Sequence, residues 1–268
     1  MKIKELKLDY EATISQMIST NGFLHYGLWT NEPKVNNYSF EMVAAAQLKY
    51  FELMIEHFPN GVNRILDVGS GTGSNALALI NKNYQVDCLS PSSHLNNIAR
   101  SKLPSSSTIY ECKYEDFNCR YKYYDFIFFA ESFHYIDPKL ALVNIENQSK
   151  FGALIFDYFP RKNKSKKITY SEFENFVHEN KNLRIKDSID FTNQIAITFD
   201  AFHNLLNQQL ATLLIKFAKS LRAKKPILGL LPSIFIEQKA NRLLKKSSRR
   251  SSFEDNFEYR LITLEQYK

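Results

Sequence analysis

Short apolar runs alternate with amphipathic stretches through the middle of the chain. Residues 2–20 and 39–58 have helical apolar spacing, and an aromatic, glycine-containing loop, NGFLHYGLWTNEP, separates them. The pattern then predicts strands at Arg64–Val68, Gln85–Leu89, Thr108–Cys112, Tyr124–Ala130 and Leu154–Phe159. It predicts helices between them at Ser74–Asn81, Ser92–Leu103 and Pro138–Ser149. Short apolar strands separated by helices indicate a parallel, doubly wound sheet that is covered on both faces.

The last hundred residues do not continue this alternation of short strands and helices. The pattern predicts a helix at Tyr170–His178, an extended piece at Leu183–Phe191, long helices near Phe199–Arg222 and Ser233–Lys246, and a final strand, EYRLITLE. A strand so far downstream suggests that the helices are inserted over the end of the sheet, where ligands of such sheets bind. We therefore divide the chain into N-terminal helices with a lid loop, a cofactor-binding core, a largely helical cap and a final core strand: 1–58, 59–160, 161–252 and 253–268.

Composition places few further limits on the protein. Its 268 residues are 44% hydrophobic and 24% charged, which is ordinary for a globular protein. No run of 18 apolar residues occurs, and the first residues lack the apolar core of a signal peptide, so we expect a cytoplasmic protein. The three cysteines have neither metal-site spacing nor an even count, so we expect reduced thiols and no metal.

Positive charge is concentrated near the end of the predicted cap. The net charge is +7, and eleven Lys or Arg but one acid, Glu237, lie between Lys216 and Arg250. Such a cluster suggests an anionic partner, which could be a substrate, a nucleic acid or a membrane surface. A solvated helix face explains the same charges equally well.

The stretch ILDVGSGTGSNALALI predicts a strand, a tight turn and the start of a helix. Its glycines, Gly69, Gly71 and Gly73, form G-x-G-x-G, whereas a dinucleotide site has G-x-G-x-x-G. Asp67 lies at the end of the strand, where it would repel a pyrophosphate. S-adenosylmethionine has no phosphate and carries an ammonium and a sulfonium, so the charge favours this ligand.

Five further segments follow at regular spacing: LSPSSHLNNIAR, YEDF, YDFIFFAESFHYI, KFGALIFDYF and DFTNQIAITFDAF. Together they resemble the class I S-adenosylmethionine-dependent methyltransferases of the small-molecule type, over about residues 20–268. The phrase His25-Tyr26-Gly27 is similar to one in the N-terminal loop of several such enzymes. The resemblance implies an α/β fold, a doubly wound, seven-stranded, mostly parallel sheet with N-terminal helices and a helical cap insertion. It also implies S-adenosyl-L-methionine as the cofactor.

One position departs from the family pattern. In these enzymes an acid at the end of the second strand binds both ribose hydroxyls, and aligning LSP places Cys88 there. Neighbouring strand residues point to opposite faces, so Asp87 replaces that acid only if the strand bulges. We expect Asp87 or Ser90 to compensate and expect Cys88→Asp to tighten cofactor binding if neither does. Cys88 as a small buried filler is the alternative.

The resemblance implies roles for other residues. It implies that the cofactor contacts Asp67, Gly69, Gly71, Gly73, Asp87, Cys88, Leu89, Ser90, Glu115, Asp116, Ala130 and Tyr26. His134 is the predicted base, because an imidazole titrates near neutral pH, and Glu131 is an alternative base or its orienting partner. Acceptor contacts are predicted for His25, Trp29, Asp157 and Tyr158. The structural alternatives are an aromatic plug for the loop residues and a solvent or backbone contact for His134.

These features predict a methyltransferase that acts on a small or lipid-like, apolar acceptor, with oxygen favoured marginally over nitrogen or carbon. The cap cations could receive an anionic group of this acceptor or contact a membrane peripherally through IFIEQKANRLLKK. An RNA methyltransferase is a rival, although the sequence has no recognisable RNA-binding module. A non-catalytic adenosyl-binding scaffold, motivated by Cys88, is a rival of another class.

Overall fold

A computed structural model describes residues 20–34, 37–163, 167–224, 230–245 and 248–267. The strands are β1 Arg64–Val68, β2 Gln85–Leu89, β3 Ile109–Tyr110, β4 Tyr124–Ala130, β5 Ser149–Pro160, β6 Leu183–Asp190 and β7 Phe257–Gln266. The α-helices are α1 Phe40–Glu56, α2 Ser74–Ile80, α3 Ser93–Lys102, α4 Pro138–Gln148, α5 Tyr170–Glu179, α6 Thr192–Lys224, α7 Leu230–Lys245 and α8 Arg250–Asn256. The helix predicted over residues 2–20 lies almost wholly outside the described residues.

The seven strands form one sheet in the order β3-β2-β1-β4-β5-β7-β6. Strands β1 to β5 pair in parallel, and β7 enters antiparallel between β5 and β6. The strand order reverses beside β1, which is the point where open α/β sheets bind ligands. The predicted doubly wound, seven-stranded, mostly parallel sheet is confirmed.

The central strands are buried on both faces. Four of five residues in β1 and six of seven in β4 are buried, as expected for parallel strands with helices on either side. Aromatic side chains fill much of the core, for example the Tyr50 ring, which stacks on Phe156 with 4.1 Å between ring centroids. This rigid centre fixes the positions of the residues that follow each strand.

Most predicted boundaries agree with the structure to within two residues. Local capping explains several helix starts: Asp137 accepts hydrogen bonds from Lys139 N and Leu140 N, and Thr169 and Glu172 form a capping box. β3 is shorter than predicted, and β5 begins five residues earlier, at Ser149.

One predicted division of the chain was wrong. The region expected as a cap, 161–252, contains α5 and β6, and β6 is an edge strand of the main sheet. The antiparallel partner that recruits β6 is β7, which lies more than sixty residues later in the chain, so local pattern could not reveal the pairing. The inserted helical part is therefore α6, α7 and α8.

A buried carboxylate fastens β2 to its neighbours. Asp87 is 2% exposed and accepts hydrogen bonds from Arg64 Nη2 at 2.6 Å, Tyr124 OH at 3.1 Å and Thr108 N at 3.0 Å. These donors come from β1, β4 and the residue before β3. Asp87 thus joins four strands at one point within the sheet.

We expect Asp87→Ala to destabilise the protein by about 2–4 kcal/mol, because three donors lose their acceptor and one of them, the Tyr124 hydroxyl, is fully buried. Urea unfolding of the variant and parent measures this difference. Glu52→Ala, an exposed change on α1, is the matched control and should alter stability little. A loss below about 1 kcal/mol would contradict this account of the Asp87 contacts.

Candidate active site

The glycine turn between β1 and α2 has a backbone that only glycine adopts easily. Gly69, Gly71 and Gly73 have φ values of +79°, +55° and +76°. A Cβ atom on Gly69 would lie 2.2 Å from the Cβ of Ser132, so that position also excludes a side chain by contact. Gly69 N donates to Leu89 O at 2.7 Å, which ties the turn to the end of β2.

Asp67 presents an unsatisfied carboxylate beneath this turn. It is 1% exposed, and its Oδ2 atom has no hydrogen-bond partner within the described residues. Burial raises the pKa of Asp67 to about 8. An ammonium group would satisfy the carboxylate, so these residues fit the amino-acid end of S-adenosylmethionine.

Residues 20–34 form a lid loop over the turn. Gly22 O accepts a hydrogen bond from Ser74 Oγ at 2.7 Å, and Leu24 lies against Gly71, where an added Cβ would be 3.0 Å from Leu24 Cδ1. Gln47 Nε2 donates to Phe23 O and His25 O and so holds the loop on α1. The loop therefore encloses the glycine turn.

His25 belongs to the cofactor side of the site. Its ring stacks on Tyr50 at 4.2 Å, and its Nδ1 atom hydrogen-bonds Tyr26 O at 2.8 Å. Its buried Nε2 atom has no hydrogen-bond partner among the described residues. Burial lowers the pKa of His25 to about 4, so the imidazole is neutral and Nε2 is an acceptor. Asn75, next to the ring, follows the glycine turn. The predicted acceptor contact is thus not supported.

Trp29 is a structural anchor, and its predicted contact with the acceptor stays a prediction. It is 5% exposed, and its indole N–H donates to Thr198 Oγ1 at 2.9 Å. Thr198 also accepts from Gly27 N at 3.1 Å, so one hydroxyl of α6 fastens the lid loop. The sequence alternative of an aromatic plug describes Trp29 correctly.

The end of β2 corrects the predicted ribose contacts. The β1–β2 register is continuous, so no bulge turns Asp87, whose carboxylate is already occupied within the sheet. Cys88 is fully buried beside Asp67, and burial and this carboxylate raise the pKa of its thiol well above the usual range. Ser90 is the first residue beyond the strand, and its Oγ atom accepts from Ser92 N at 3.3 Å. Ser90 therefore lies at the carboxyl end of β2, where the sequence predicts the ribose contact.

The turn after β3 carries the acids predicted near adenine. Residues Tyr114–Asp116 form one turn of 3₁₀ helix. Glu115 Oε1 accepts from Asp137 N at 3.2 Å and supports the start of α4, whereas the exposed Asp116 carboxylate makes no hydrogen bond within the described chain. Leu89 and Ala130 lie at the ends of β2 and β4, as expected for residues that line a site at this edge.

His134 is held by a buried carboxylate. Its Nδ1 atom lies 2.9 Å from Asp157 Oδ1 and 3.0 Å from Oδ2, and its backbone N–H donates to Oδ2 at 3.0 Å. Asp157 is fully buried, and Tyr158 lies on the ring at 4.4 Å. Asp157 therefore orients the histidine, and its predicted acceptor contact is not supported.

Glu131 is not the partner of His134. Its backbone has a left-handed φ of +57°, and its Oε1 atom accepts from Tyr26 N and Tyr259 OH, both at 2.7 Å. Burial raises the pKa of Glu131 to about 8, although these two hydrogen bonds favour the charged form. Glu131 thus joins the lid loop to β7, and the Tyr26 ring packs against Phe199 of α6.

Sequence reasoning missed three residues of this assembly. Thr198, Tyr50 and Tyr259 join the lid loop, α6 and the sheet through buried hydroxyls. No local motif marks them, although a tyrosine inside an apolar helix or strand needs a hydrogen-bond partner when it is buried.

We expect the affinity for S-adenosylhomocysteine to rise with pH between 6 and 7.5. Asp67 holds a proton in the free protein in this range, and its pairing with the ligand's ammonium releases that proton. The dissociation constant should fall by up to tenfold per pH unit in calorimetric titrations. Asp67→Asn should bind more weakly and without this slope. An unchanged slope in that variant would assign the titration to another group, with Glu131→Gln as the next variant to measure.

We expect Ser90→Asp to tighten S-adenosylhomocysteine binding about fivefold, because an aspartate there adds a charged acceptor and can still cap Ser92 N. Cys88→Asp should instead destabilise the protein, since it places a second buried carboxylate beside Asp67. Calorimetry and thermal unfolding of both variants test this pair. Tighter binding by Cys88→Asp with unchanged stability would instead support Cys88 as the position of the ribose-binding acid.

Comparisons with a family model and with solved structures agree with this geometry. Residues 65–147 match a family model described as a methyltransferase domain. No curated protein matches the sequence significantly. Solved structures match over nearly the whole chain at low sequence identity, so their likeness extends to the fold.

One similar structure is the geranyl diphosphate C-methyltransferase from Streptomyces coelicolor A3(2), with geranyl-S-thiolodiphosphate and S-adenosyl-L-homocysteine. Its TM-score is 0.64 at 11% identity, with 96% of this chain and 98% of that chain covered. Another is the O-methyltransferase of a trans-AT PKS multienzyme of Brevibacillus brevis, with S-adenosyl-L-homocysteine, at a TM-score of 0.59, 19% identity, and 91% and 84% coverage.

A third similar structure is the [4+2]-cyclase SpnF, with a TM-score of 0.65, 16% identity, and 97% and 93% coverage. The fold of these proteins thus supports several reactions, and the family match concerns the part of the chain that carries the glycine turn. Residues 65–147, which carry the glycine turn, thus match a methyltransferase domain, and the chain as a whole has the fold of these solved structures.

Proposed function

We propose that this protein transfers the methyl group of S-adenosylmethionine to a hydroxyl of a small or lipid-like, apolar acceptor, with His134 as the base. The observation that carries the proposal is the His134–Asp157 pair at the carboxyl edge of the sheet. A neutral imidazole that donates Nδ1–H to a carboxylate keeps its Nε2 lone pair available for a proton. His134 Nε2 has no hydrogen-bond partner within the described residues.

The surrounding residues support a base at this position. Asp157 touches both the ring and the backbone N–H of His134, so the imidazole cannot rotate without losing contacts. Tyr135 and Tyr158 flank the ring at 3.8 Å and 4.4 Å between centroids. A base held in one orientation next to the acceptor lowers the entropic cost of reaching the reactive geometry.

When bound, the cofactor supplies an electrophilic methyl group on a sulfonium. Residues of the chain hold this ligand and exclude water from it. Asp67 and the glycine turn hold the amino-acid end, and Ser90 and Asp116 are placed for the ribose and the adenine. The lid loop covers the glycine turn and keeps water away from the ligand. Glu131 holds this loop closed through Tyr26 N.

We favour oxygen as the methylated atom of the acceptor because its methylation needs a base. A hydroxyl must lose its proton as it is methylated, and a positioned imidazole contributes to that step. The similar structures include proteins named as C- and O-methyltransferases, so the fold leaves the attacked atom open. The oriented histidine favours oxygen, by a small margin over nitrogen and carbon.

The acceptor side combines apolar surface with a cation. Phe199, Phe253 and Phe257 lie around Tyr158 and Tyr26, and Lys167 Nζ donates to Tyr158 OH at 2.9 Å. Lys167 also lies over the Tyr158 ring, 4.6 Å from its centroid. An apolar acceptor with a carboxylate or phosphate group suits these residues. One similar protein is named for its action on geranyl diphosphate, which is such a molecule.

The rival functions predict other features. An RNA methyltransferase would use the cap cations to follow phosphates, but large apolar side chains lie among those cations, as described below. A non-catalytic scaffold has no need of a buried carboxylate that orients a histidine, although the likeness to a cyclase keeps that rival open. The cytoplasmic location predicted from the sequence stays a prediction.

We expect His134→Ala to lower turnover by roughly 10²–10⁴ and to leave the affinity for S-adenosylhomocysteine unchanged, because the base touches the acceptor and not the cofactor. Asp157→Asn should lower turnover less, since the histidine remains but loses its orienting charge. Turnover is measured as S-adenosylhomocysteine release with a panel of phenols, hydroxylated fatty acids and prenyl alcohols.

His178→Ala, on the exposed face of α5, is the matched control and should keep full turnover. If His134→Ala loses less than about threefold while an acceptor of the panel is methylated, alignment alone suffices and the base assignment fails.

A further inference from the structure

Helices α6 and α7 form an antiparallel hairpin, here residues 205–224 and 230–245, whose two helices meet through small residues. Ala211, Ala218, Ser233 and Ala240 are at most 1% exposed. Arg222 Nε donates to Ser233 Oγ at 3.1 Å, and Arg222 pairs with Glu237 at 3.0 Å. Small buried residues and the Arg222 contacts thus contribute to the seam between the helices.

The large apolar side chains of the hairpin point outward instead. On α6, Leu206, Leu210, Leu213 and Phe217 are 36–64% exposed, and their spacing of four, three and four residues puts them on one face. On α7, Leu231 and Phe235 are 69% and 71% exposed. We call these six residues the apolar stripe. Proteins rarely leave a contiguous patch of large apolar side chains in contact with water. The apolar stripe therefore indicates contact with an apolar surface outside the chain.

Cations accompany the stripe along the same hairpin. Lys216, Lys219, Lys224, Lys239 and Arg242 are exposed, and none forms an ion pair with another described residue. Glu237 is the one acid among the described hairpin residues, and Arg222 already neutralises it. The outer surface of the hairpin is therefore both apolar and strongly positive.

We propose that this hairpin docks onto the surface of an anionic lipid bilayer. The Leu and Phe side chains of the stripe would enter the boundary between headgroups and acyl chains, and the Lys and Arg side chains would contact the anionic headgroups. No helix within the described ranges has the length and apolarity to cross a bilayer, so the hairpin lies on the surface. This inference does not depend on the acceptor or on the attacked atom.

Charge distinguishes the bilayer from the other occupants. A second copy of the chain would bring two positive stripes together, which costs electrostatic energy. Residues 1–19 carry three Lys and three acids, so their net charge does not complement the hairpin. A nucleic acid would match the cations, but it would leave the Leu and Phe side chains without an apolar partner.

The position of the hairpin connects docking to the site. The same helix α6 holds the lid loop through Thr198 and contacts Tyr26 through Phe199. The docking hairpin is thus continuous with the helix that supports the lid loop.

Co-sedimentation of the full chain with vesicles tests the proposal. We expect at least tenfold stronger binding to phosphatidylcholine vesicles with 30% phosphatidylglycerol than to pure phosphatidylcholine, and weaker binding at 300 mM than at 50 mM NaCl. Phe217→Ser with Phe235→Ser should weaken binding at least tenfold. Neutralising Lys216, Lys219, Lys239 and Arg242 with Gln should remove the preference for anionic vesicles.

Leu140→Ser with Val143→Ser provides a matched control, because these α4 residues are 51% and 49% exposed and lie outside the hairpin. This variant should bind vesicles like the parent. All variants should keep the parent's affinity for S-adenosylhomocysteine, which shows that they are folded.

Four results would overturn the proposal. The parent could fail to bind anionic vesicles, or the Phe217→Ser, Phe235→Ser variant could bind like the parent. A concentration-dependent dimer in light scattering that the same variant abolishes, without vesicle binding by the parent, would assign the stripe to a second copy. Binding that appears only after removal of residues 1–19 would show that this segment covers the stripe.

Discussion

Parallel pairing of β1, β4 and β5 brings three buried carboxylates to one edge of the sheet. Asp67 ends β1, Glu131 follows β4, and Asp157 lies near the end of β5, where Glu131 N donates to Phe156 O at 3.1 Å. Burial of a carboxylate is costly unless hydrogen bonds or a counter-charge compensate for the lost water. The rest of the site is arranged around how each of these three groups is satisfied.

The three carboxylates differ in their hydrogen-bond partners, and this difference defines the role of each. Asp157 has His134 and so fixes an imidazole, whereas Glu131 has a lid amide and a tyrosine hydroxyl and so holds a loop. Asp67 has no partner for one oxygen within the described chain, and its raised pKa shows what that costs. A ligand with an ammonium group supplies the missing partner, so the cofactor completes the structure here.

Hydrogen bonds join the lid loop to the carboxyl edge of the sheet and to α6, the helix that continues into the hairpin. Thr198 fixes Gly27 and Trp29, Glu131 fixes Tyr26, and Gln47 fixes the start of the loop on α1. The loop thus depends on buried hydrogen bonds to three separate elements. Thr198 and the first half of the hairpin belong to the same helix, α6. Docking of the hairpin and closure of the lid loop would therefore both depend on α6.

The sequence by itself determined the central sheet, the glycine turn and the identity of the ligand that the turn accepts. Those features are local: apolar strands of five to seven residues, G-x-G-x-G and an acid at fixed spacing produce the same turn wherever they occur. It also predicted His134 as the base, because the residue follows a recognisable strand. It could not show which carboxylate orients that histidine, since Asp157 lies 23 positions away and only strand pairing brings the two together.

Tertiary structure decided the remaining features. Contacts with Arg64, Tyr124 and Thr108 hold the Asp87 carboxylate within the sheet, and a strand pattern reveals none of them. Trp29 became an anchor because Thr198, 169 positions later, meets its indole. β6 joined the sheet through β7, and the apolar stripe faced outward because small residues closed the hairpin. Contacts between distant residues fix these outcomes, and local periodicity carries no information about them.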